Sequence, residues 1–253
     1  MEHGYRQPCN IAAILLAGGR STRMGRDKAE VPVRGVPMIR RVYGAAAGCC
    51  DPVVVVTPWP ERYRGVLPED CAIAQEPVPV GNAPPPGPLA GFTQGLIRLQ
   101  ADGQTCFQGH VSPPLQFHGD GSSSADLPAD RQAGFQQNEP QDWVALLACD
   151  LPLLQATHLL QGMAQLPGLS AQTLAFLPNR GGRWEPLCGF YRRACLPLLQ
   201  AFMAEGGQSF QRWLAEMIVE QWNFSDEAML FNCNTPADLA WAEQQVFNSA
   251  GFE

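Results

Sequence analysis

The sequence predicts a Rossmann-like α/β domain: a mostly parallel twisted sheet with helices on both faces. Three short, continuous apolar runs carry this reading. Residues 11–16 (Ile-Ala-Ala-Ile-Leu-Leu) end at Gly18-Gly19, residues 52–56 begin with Pro and continue as four valines, and residues 143–148 close at Cys149-Asp150-Leu151-Pro152. Runs of this kind, without polar alternation, mark strands buried on both faces, as in the centre of a parallel sheet. Strand and helix patterns alternate between them, which is the rhythm of crossover units.

Further elements follow in order. Val36, Ile39, Val42 and Tyr43 give residues 36–48 a helical period. Residues 71–74 read as a short strand, and residues 87–100 as a loop leading into an amphipathic helix. Beyond Asp150 the pattern predicts a helix over 153–166 and strands over 173–177 and 186–191. Helices are expected over 194–205, 209–217 and 236–247. The 253 residues are read as one domain spanning 1–253. Residues 101–142 interrupt it as a low-complexity surface insertion rich in Gly, Gln, Ser, Pro and Asp. Such a stretch buries too little apolar surface to offset its ordering entropy. His110 and His118 lie in it without a Cys or Glu partner at ligand spacing, and read as solvated.

Composition narrows the function. A hydrophobic share of 45% supports a core without disulfide or metal staples. Seventeen Lys and Arg against 24 Asp and Glu, a net charge of −7, leave little material for a nucleic-acid face. A mononucleotide needs only a few local cations. The nine cysteines form no C-x-x-C pair and read as reduced thiols. The first ten residues are polar and no apolar run reaches the ~18 residues of a membrane span, so the expectation is a cytoplasmic protein with no membrane partner.

The chemistry concentrates after the first strand, in Leu16-Ala17-Gly18-Gly19-Arg20-Ser21-Thr22-Arg23-Met24-Gly25-Arg26-Asp27-Lys28. This segment leaves the carboxyl end of a central strand, where open α/β sheets bind ligands. Paired glycines let the backbone approach an anion, and Arg20, Arg23, Arg26 and Lys28 surround it with charge. The spacing excludes both G-x-x-x-x-G-K-[ST] and G-x-G-x-x-G. The competing reading is a glycine turn with solvated arginines. Asp150, directly after an apolar strand, suits a hard cation such as Mg²⁺, but from position alone it equally suits capping the next helix. Thr235-Pro236 looks like a helix cap with Pro at the first helical position, so Asn232 and Asn234 either serve a turn or meet substrate.

L-A-G-G-x-S-x-R-M-G-x-D-K after an apolar strand resembles the signature of the molybdenum cofactor guanylyltransferases, a nucleotidyltransferase family. Gly87-Pro88-Leu89-Ala90-Gly91 is similar to that family's G-P-L-A-G loop, Cys149-Asp150-Leu151-Pro152 to its C-D-x-P motif, and residues 231–239 to its N-x-N-T-P-x-D/E-L segment. Residues 185–191 fit the strand before that segment, and the likeness runs from about Ile11 to Val246, leaving out the insertion. Thr57 and Glu76 stand where the family often has Asn and usually has Asp.

The resemblance implies transfer of GMP from GTP to the phosphate of molybdenum-molybdopterin, forming molybdopterin guanine dinucleotide and pyrophosphate. It implies GTP contacts from Leu16, Ala17, Gly18, Gly19, Lys28, Thr57, Glu76, Gly87, Pro88, Leu89 and Asp150. Catalytic roles fall to Lys28, Arg23 and Asp150, with Mg²⁺ on Asp150 and the pterin side at Asn232 and Asn234. Partners beyond GTP and molybdopterin would be transient ones, molybdopterin-loading proteins and acceptor molybdoenzymes. A cytidylyl or sugar-phosphate specificity on the same fold, and a non-catalytic molybdopterin-binding adaptor, remain as alternatives. Gly19 and the G-P-L-A-G segment favour guanine, and the intact Lys28 and Asp150 favour catalysis. No Ser-His-Asp or Cys-His constellation is visible among four histidines. None is needed, because a phosphate monoester is already an ionised nucleophile at neutral pH.

Overall fold

Every residue of β1 (Ala12–Leu16) is buried, because the strand has a helix layer on each side. Ala13 and Leu15 point into one core and Ala12, Ile14 and Leu16 into the other, as the period of two requires. The structure is a computed structural model, and it describes residues 11–18, 27–76, 87–103 and 142–250.

After β1 a short hairpin forms from β2 (Pro32–Val33) and β3 (Val36–Pro37). Its turn places Arg34 at φ 52° and Gly35 at φ 75°, the two positive angles that match strand twist in a two-residue loop. Then come α1 (Met38–Ala47), β4 (Val53–Thr57), α2 (Pro60–Tyr63), β5 (Ala72–Gln75), α3 (Gly87–Gly103) and β6 (Trp143–Ala148). The second half holds α4 (Ala156–Met163), β7 (Ala175–Leu177), a small hairpin of β8 (Asn179–Arg180) and β9 (Arg183–Trp184), β10 (Cys188–Arg192), α5 (Leu196–Ala204), α6 (Phe210–Leu214), β11 (Val219–Gln221) and α7 (Pro236–Ala250).

The main sheet has seven strands in the order β11-β7-β10-β6-β1-β4-β5. All run parallel except β10, which pairs antiparallel with both β6 and β7. Helices α1, α2 and α4 cover one face. Helices α3, α5 and α6 cover the other, around an aromatic group of Phe92, Tyr191, Phe210 and Trp213. A third, small apolar cluster of Val31, Val33, Met38, Cys233 and Ala242 seats α7 against the β2–β3 hairpin. That contact brings the last helix back toward the end of β1. Among the described residues no helix is long and apolar enough to cross a membrane, and the described cysteines are free thiols.

Several boundaries differ from the sequence expectation, each for a physical reason. The helix expected from residue 36 starts at Met38, because Val36 and Pro37 belong to the hairpin. Residues 87–91 are not a loop but the first turn of α3, entered through a positive φ at Gly87. The helix expected from 153 starts at Ala156, capped by Gln155. β11 and the β8–β9 hairpin had no strong apolar run to announce them. Residues 101–103 close α3, and the remainder of the proposed insertion, with His110 and His118, lies outside the described residues apart from Asp142.

Candidate active site

β1 and β6 are neighbours running in the same direction, so the segments leaving their carboxyl ends emerge side by side. Cys149 donates its N–H to the carbonyl of Leu16 at 3.1 Å, extending that pairing past the strand ends. The chain then turns outward at Asp150. Lys28 reaches the same place from the short helical turn Lys28–Glu30, and its ammonium donates to Asp150 Oδ2 in a close ion pair. A second bond runs from Lys28 Nζ to Asn234 Oδ1 at 2.6 Å. Three residues read from separate motifs therefore meet at one ammonium.

Asp150 does not cap the next helix, which begins only at Ala156. Its Oδ1 is buried and accepts no hydrogen bond among the described residues, an arrangement that needs an explanation in a native fold. Its backbone carbonyl accepts the N–H of Cys233 at 3.1 Å, which fixes the approach of the C-terminal segment. Among the described residues no three His, Cys, Asp or Glu side chains gather as a closed metal cage. An open carboxylate with a spare oxygen fits Mg²⁺, which binds through one or two carboxylates and takes its remaining ligands from water and substrate phosphates.

The position of Lys28 is set from behind by Asp27. Asp27 Oδ1 accepts the N–H of Ala29 at 3.0 Å, and its Oδ2 accepts the hydroxyl of Tyr63 at 2.8 Å and a longer contact from Arg62 at 3.4 Å. Tyr63 is buried, and burial first, then its bond to Asp27, push its hydroxyl pKa far above the ordinary value. Arg62 in turn lies over the Trp59 ring at 4.3 Å.

On the far side of β1 the walls come from Glu76, Gly18 and Gly91. A methyl group on Gly18 would sit 2.9 Å from Glu76 Oε2, and one on Gly91 would sit 3.2 Å from Leu16 Cδ2 and 3.6 Å from Glu76 Oε1. The two glycines thus let a carboxylate lie between the β1 loop and the start of α3. Desolvation by burial raises the Glu76 pKa above the usual carboxylate range. Thr57 is fully buried beside it. Its hydroxyl accepts the N–H of Trp59 at 3.2 Å, and its carbonyl accepts the N–H of Glu76 at 2.9 Å. Leu16, Ala17 and Leu89 have buried side chains, so any ligand contact from them comes through backbone groups, whereas Gly18 and Pro88 are exposed. Gly87 lies at the start of α3. Gly19 and Arg23 lie outside the described residues.

The C-terminal segment carries the last pair. Thr235 caps α7, with its Oγ1 accepting the N–H of Asp238 at 3.2 Å, so the cap-and-proline reading of Thr235-Pro236 matches the structure. Asn234 is exposed and turned toward Lys28. Asn232 is exposed, with its amide 3.4 Å from the carbonyl of Leu230. Three supporting residues carry no role in the sequence reading. Asp27 and Asp238 stand at specified positions of the glycine-loop and N-x-N-T-P-x-D/E-L motifs, and Asp238 also completes a T-x-x-D capping spacing. Tyr63 gave no local signal.

Residues 13–221 match the family model described as MobA-like NTP transferase domain. A Nostoc sp. protein named "Probable molybdenum cofactor guanylyltransferase" is 40% identical over 231 residues, covering 91% of this chain and 89% of that protein. A Synechococcus elongatus protein of the same name is 34% identical, covering 94% and 99%. The Pseudomonas putida "Molybdenum cofactor guanylyltransferase" is 30% identical, covering 92% and 97%. Among solved structures, molybdopterin-guanine dinucleotide biosynthesis protein A from Archaeoglobus fulgidus superposes with a TM-score of 0.64 over 94% of this chain and 100% of that one. At 18% identity that likeness speaks for the fold alone.

Proposed function

The chain belongs to the MobA-like NTP transferase family and is a nucleotidyltransferase, and from that premise we propose that it transfers GMP from GTP to the phosphate of molybdenum-molybdopterin. The products are molybdopterin guanine dinucleotide and pyrophosphate. The observation that carries this reading is the meeting of Lys28, Asp150 and Asn234 at the shared carboxyl edge of β1 and β6. Its relatives' names supply the nucleotide and the acceptor class.

In the proposed reaction an oxygen of the acceptor phosphate forms a bond to the α-phosphorus of GTP. The bond from that phosphorus to the β-phosphate bridging oxygen breaks, and pyrophosphate leaves with the electron pair. No general base is required, so the work of the protein is to hold two polyanions in line and offset their charge. We assign to Lys28, together with Arg23 of the same sequence motif, the role of stabilising charge that develops on the departing pyrophosphate. The backbone of Leu16, Ala17, Gly18 and Gly19, the first turn of α3 at Gly87, Pro88 and Leu89, and Glu76 with Thr57 form the proposed nucleotide side. Asn232 and Asn234 face the proposed pterin side.

Enzymes of this family use a divalent metal, and Asp150 is the residue we assign to hold Mg²⁺. When bound, the ion would neutralise phosphate charge and polarise the α-phosphorus.

Nucleotide choice tests the reading. Purified protein is incubated with Mg²⁺, molybdopterin and either GTP or CTP, and pyrophosphate release and the attached nucleotide are followed. Transfer from GTP alone is expected. Transfer from CTP moves the protein to the cytidylyl branch, and transfer from neither points to sugar phosphates as acceptors or to a binding role.

A further inference from the structure

We propose that Asp238 is a positioning residue for catalysis, setting the Lys28 ammonium through Asn234; this rests on the reading of Lys28 as a phosphate contact. Asp238 stands in the first turn of α7, and its Oδ2 accepts two backbone N–H groups at once, from Asn234 and from Thr235, each at 2.8 Å. An ordinary reciprocal helix cap needs only the bond to Thr235, the residue whose hydroxyl accepts from Asp238 in return. The bond to Asn234 is additional, and it fixes the backbone of the residue whose side chain holds Lys28.

The geometry forms one continuous chain: Asp238 Oδ2 accepts from Asn234 N, and Asn234 Oδ1 accepts from Lys28 Nζ. Lys28 in turn pairs with Asp150. Asp238 thus acts at a distance from the reacting atoms, and its carboxylate does not touch the ammonium. The segment has little freedom to drift otherwise, because Cys233 is buried and its N–H is bonded to the Asp150 carbonyl. With Cys233 anchored on one side and Asp238 gripping on the other, Asn234 presents its amide oxygen in one direction. A lysine has three rotatable donors on a four-carbon stem, and a fixed acceptor is what converts that mobile charge into a preorganised one.

The bland alternative is that Asp238 only stabilises the end of α7. Thr235→Ala separates the two, because it breaks the cap while leaving the bond from Asn234 N to Asp238 in place. The experiment uses the full chain and measures melting temperature, the Kd of Mg²⁺·pyrophosphate by titration calorimetry and GMP transfer from GTP. The variants are Thr235→Ala, Asp238→Ala, Asp238→Glu, Lys28→Ala and the Lys28→Ala/Asp238→Ala pair. Both single alanine variants at the helix end should melt a few degrees lower. Only Asp238→Ala should weaken pyrophosphate, and lower kcat, by about tenfold, the scale of a small misplacement of a catalytic group. Asp238→Glu, which can reach the same N–H groups, should recover most of both. In the Lys28→Ala background, loss of Asp238 should cost nothing further.

Equal losses in Thr235→Ala and Asp238→Ala, additive losses in the double variant, or wild-type protein that does not bind Mg²⁺·pyrophosphate would each overturn the proposal. Wild-type protein that binds pyrophosphate but transfers nothing to molybdopterin defeats the acceptor reading instead. The binding cycle still judges Asp238 in that case.

Discussion

Cys233 donates its backbone N–H to the carbonyl of Asp150 at 3.1 Å. Through this bond a segment that precedes the last helix is joined to the turn after the third long strand of the sheet. The pairing explains why Lys28 can touch Asp150 and Asn234 together: both acceptors are held by one backbone contact, and the lysine needs only to reach their junction. Coupling of this kind gives the site a shape before any ligand arrives.

Removing either charge at that junction should therefore hit turnover far more than stability. Lys28→Ala and Asp150→Ala are each expected to lose at least about a hundredfold in kcat, the usual scale for deleting an electrostatic contact to developing charge. Both variants should remain folded by circular dichroism, because neither side chain belongs to the apolar clusters that pack the sheet. Near-native turnover in both would refute the site assignment.

Tyr63 and Asp27 offer a test of how Lys28 is supported. Tyr63→Phe removes the 2.8 Å bond to Asp27 Oδ2 without emptying the ring's buried position. Loss of one such bond to a charged acceptor costs about 1.5–3 kcal/mol. Urea titration should show that decrease, and the KM for GTP should rise several-fold as the start of the 28–30 turn loosens. An unchanged KM alongside reduced stability would confine Tyr63 to a structural role.

How much of this was legible in the sequence follows from which interactions are local. β1, β4 and β6 were readable because burial on both faces leaves an unbroken apolar run, and that same placement put Lys28 and Asp150 at one edge. The direction of β10 was not readable, since a buried strand has the same pattern either way round in a sheet. Val36 fell into the wrong element because its spacing from Ile39 fits a helical period as well as a hairpin. The Tyr63–Asp27 bond joins residues with no shared pattern, so only the folded chain brings it to notice. From sequence alone Asn234 either meets substrate or serves a turn, and the bond to Lys28 gives it a partner outside both roles.

Glu76 predicts a pH dependence with a definite sign. Burial holds its folded-state pKa above the ordinary value. Below that ordinary value, about 4.3, the side chain is neutral in both folded and unfolded chains and costs nothing. As the pH rises toward the raised value the unfolded chain releases the proton first, so folding loses stability, and the loss is complete above the raised value. Glu76→Gln carries no such penalty. The melting temperature of Glu76→Gln relative to wild type should therefore climb as the pH rises above about 4, measured by differential scanning calorimetry. A flat difference would mean that the carboxyl is not desolvated in solution.

Two glycine substitutions should separate the site from the core. A methyl group on Gly95 in α3 would lie 2.6, 2.8 and 2.9 Å from three carbons of the Ile14 side chain, which is fully buried in the centre of β1. Ile14 is β-branched and stiff, so the helix must move away from the sheet. Overpacking of this sort costs about 1–3 kcal/mol, only partly offset by the roughly 1 kcal/mol by which Ala exceeds Gly in a helix. Gly95→Ala should thus melt lower while binding GTP with unchanged affinity. A methyl group on Gly18 meets something softer, the end of the Glu76 side chain at 2.9 Å and Pro58 Cδ at 3.3 Å. The carboxylate can swing aside, so the melting temperature should hardly change, within the ~0.5 kcal/mol typical of surface positions. GTP affinity should fall about tenfold, because both the glycine backbone and the carboxylate that it admits belong to the proposed nucleotide side. If Gly18→Ala stays folded and binds GTP as tightly as wild type, the cradle between Gly18, Glu76 and Gly91 is not where the nucleotide sits.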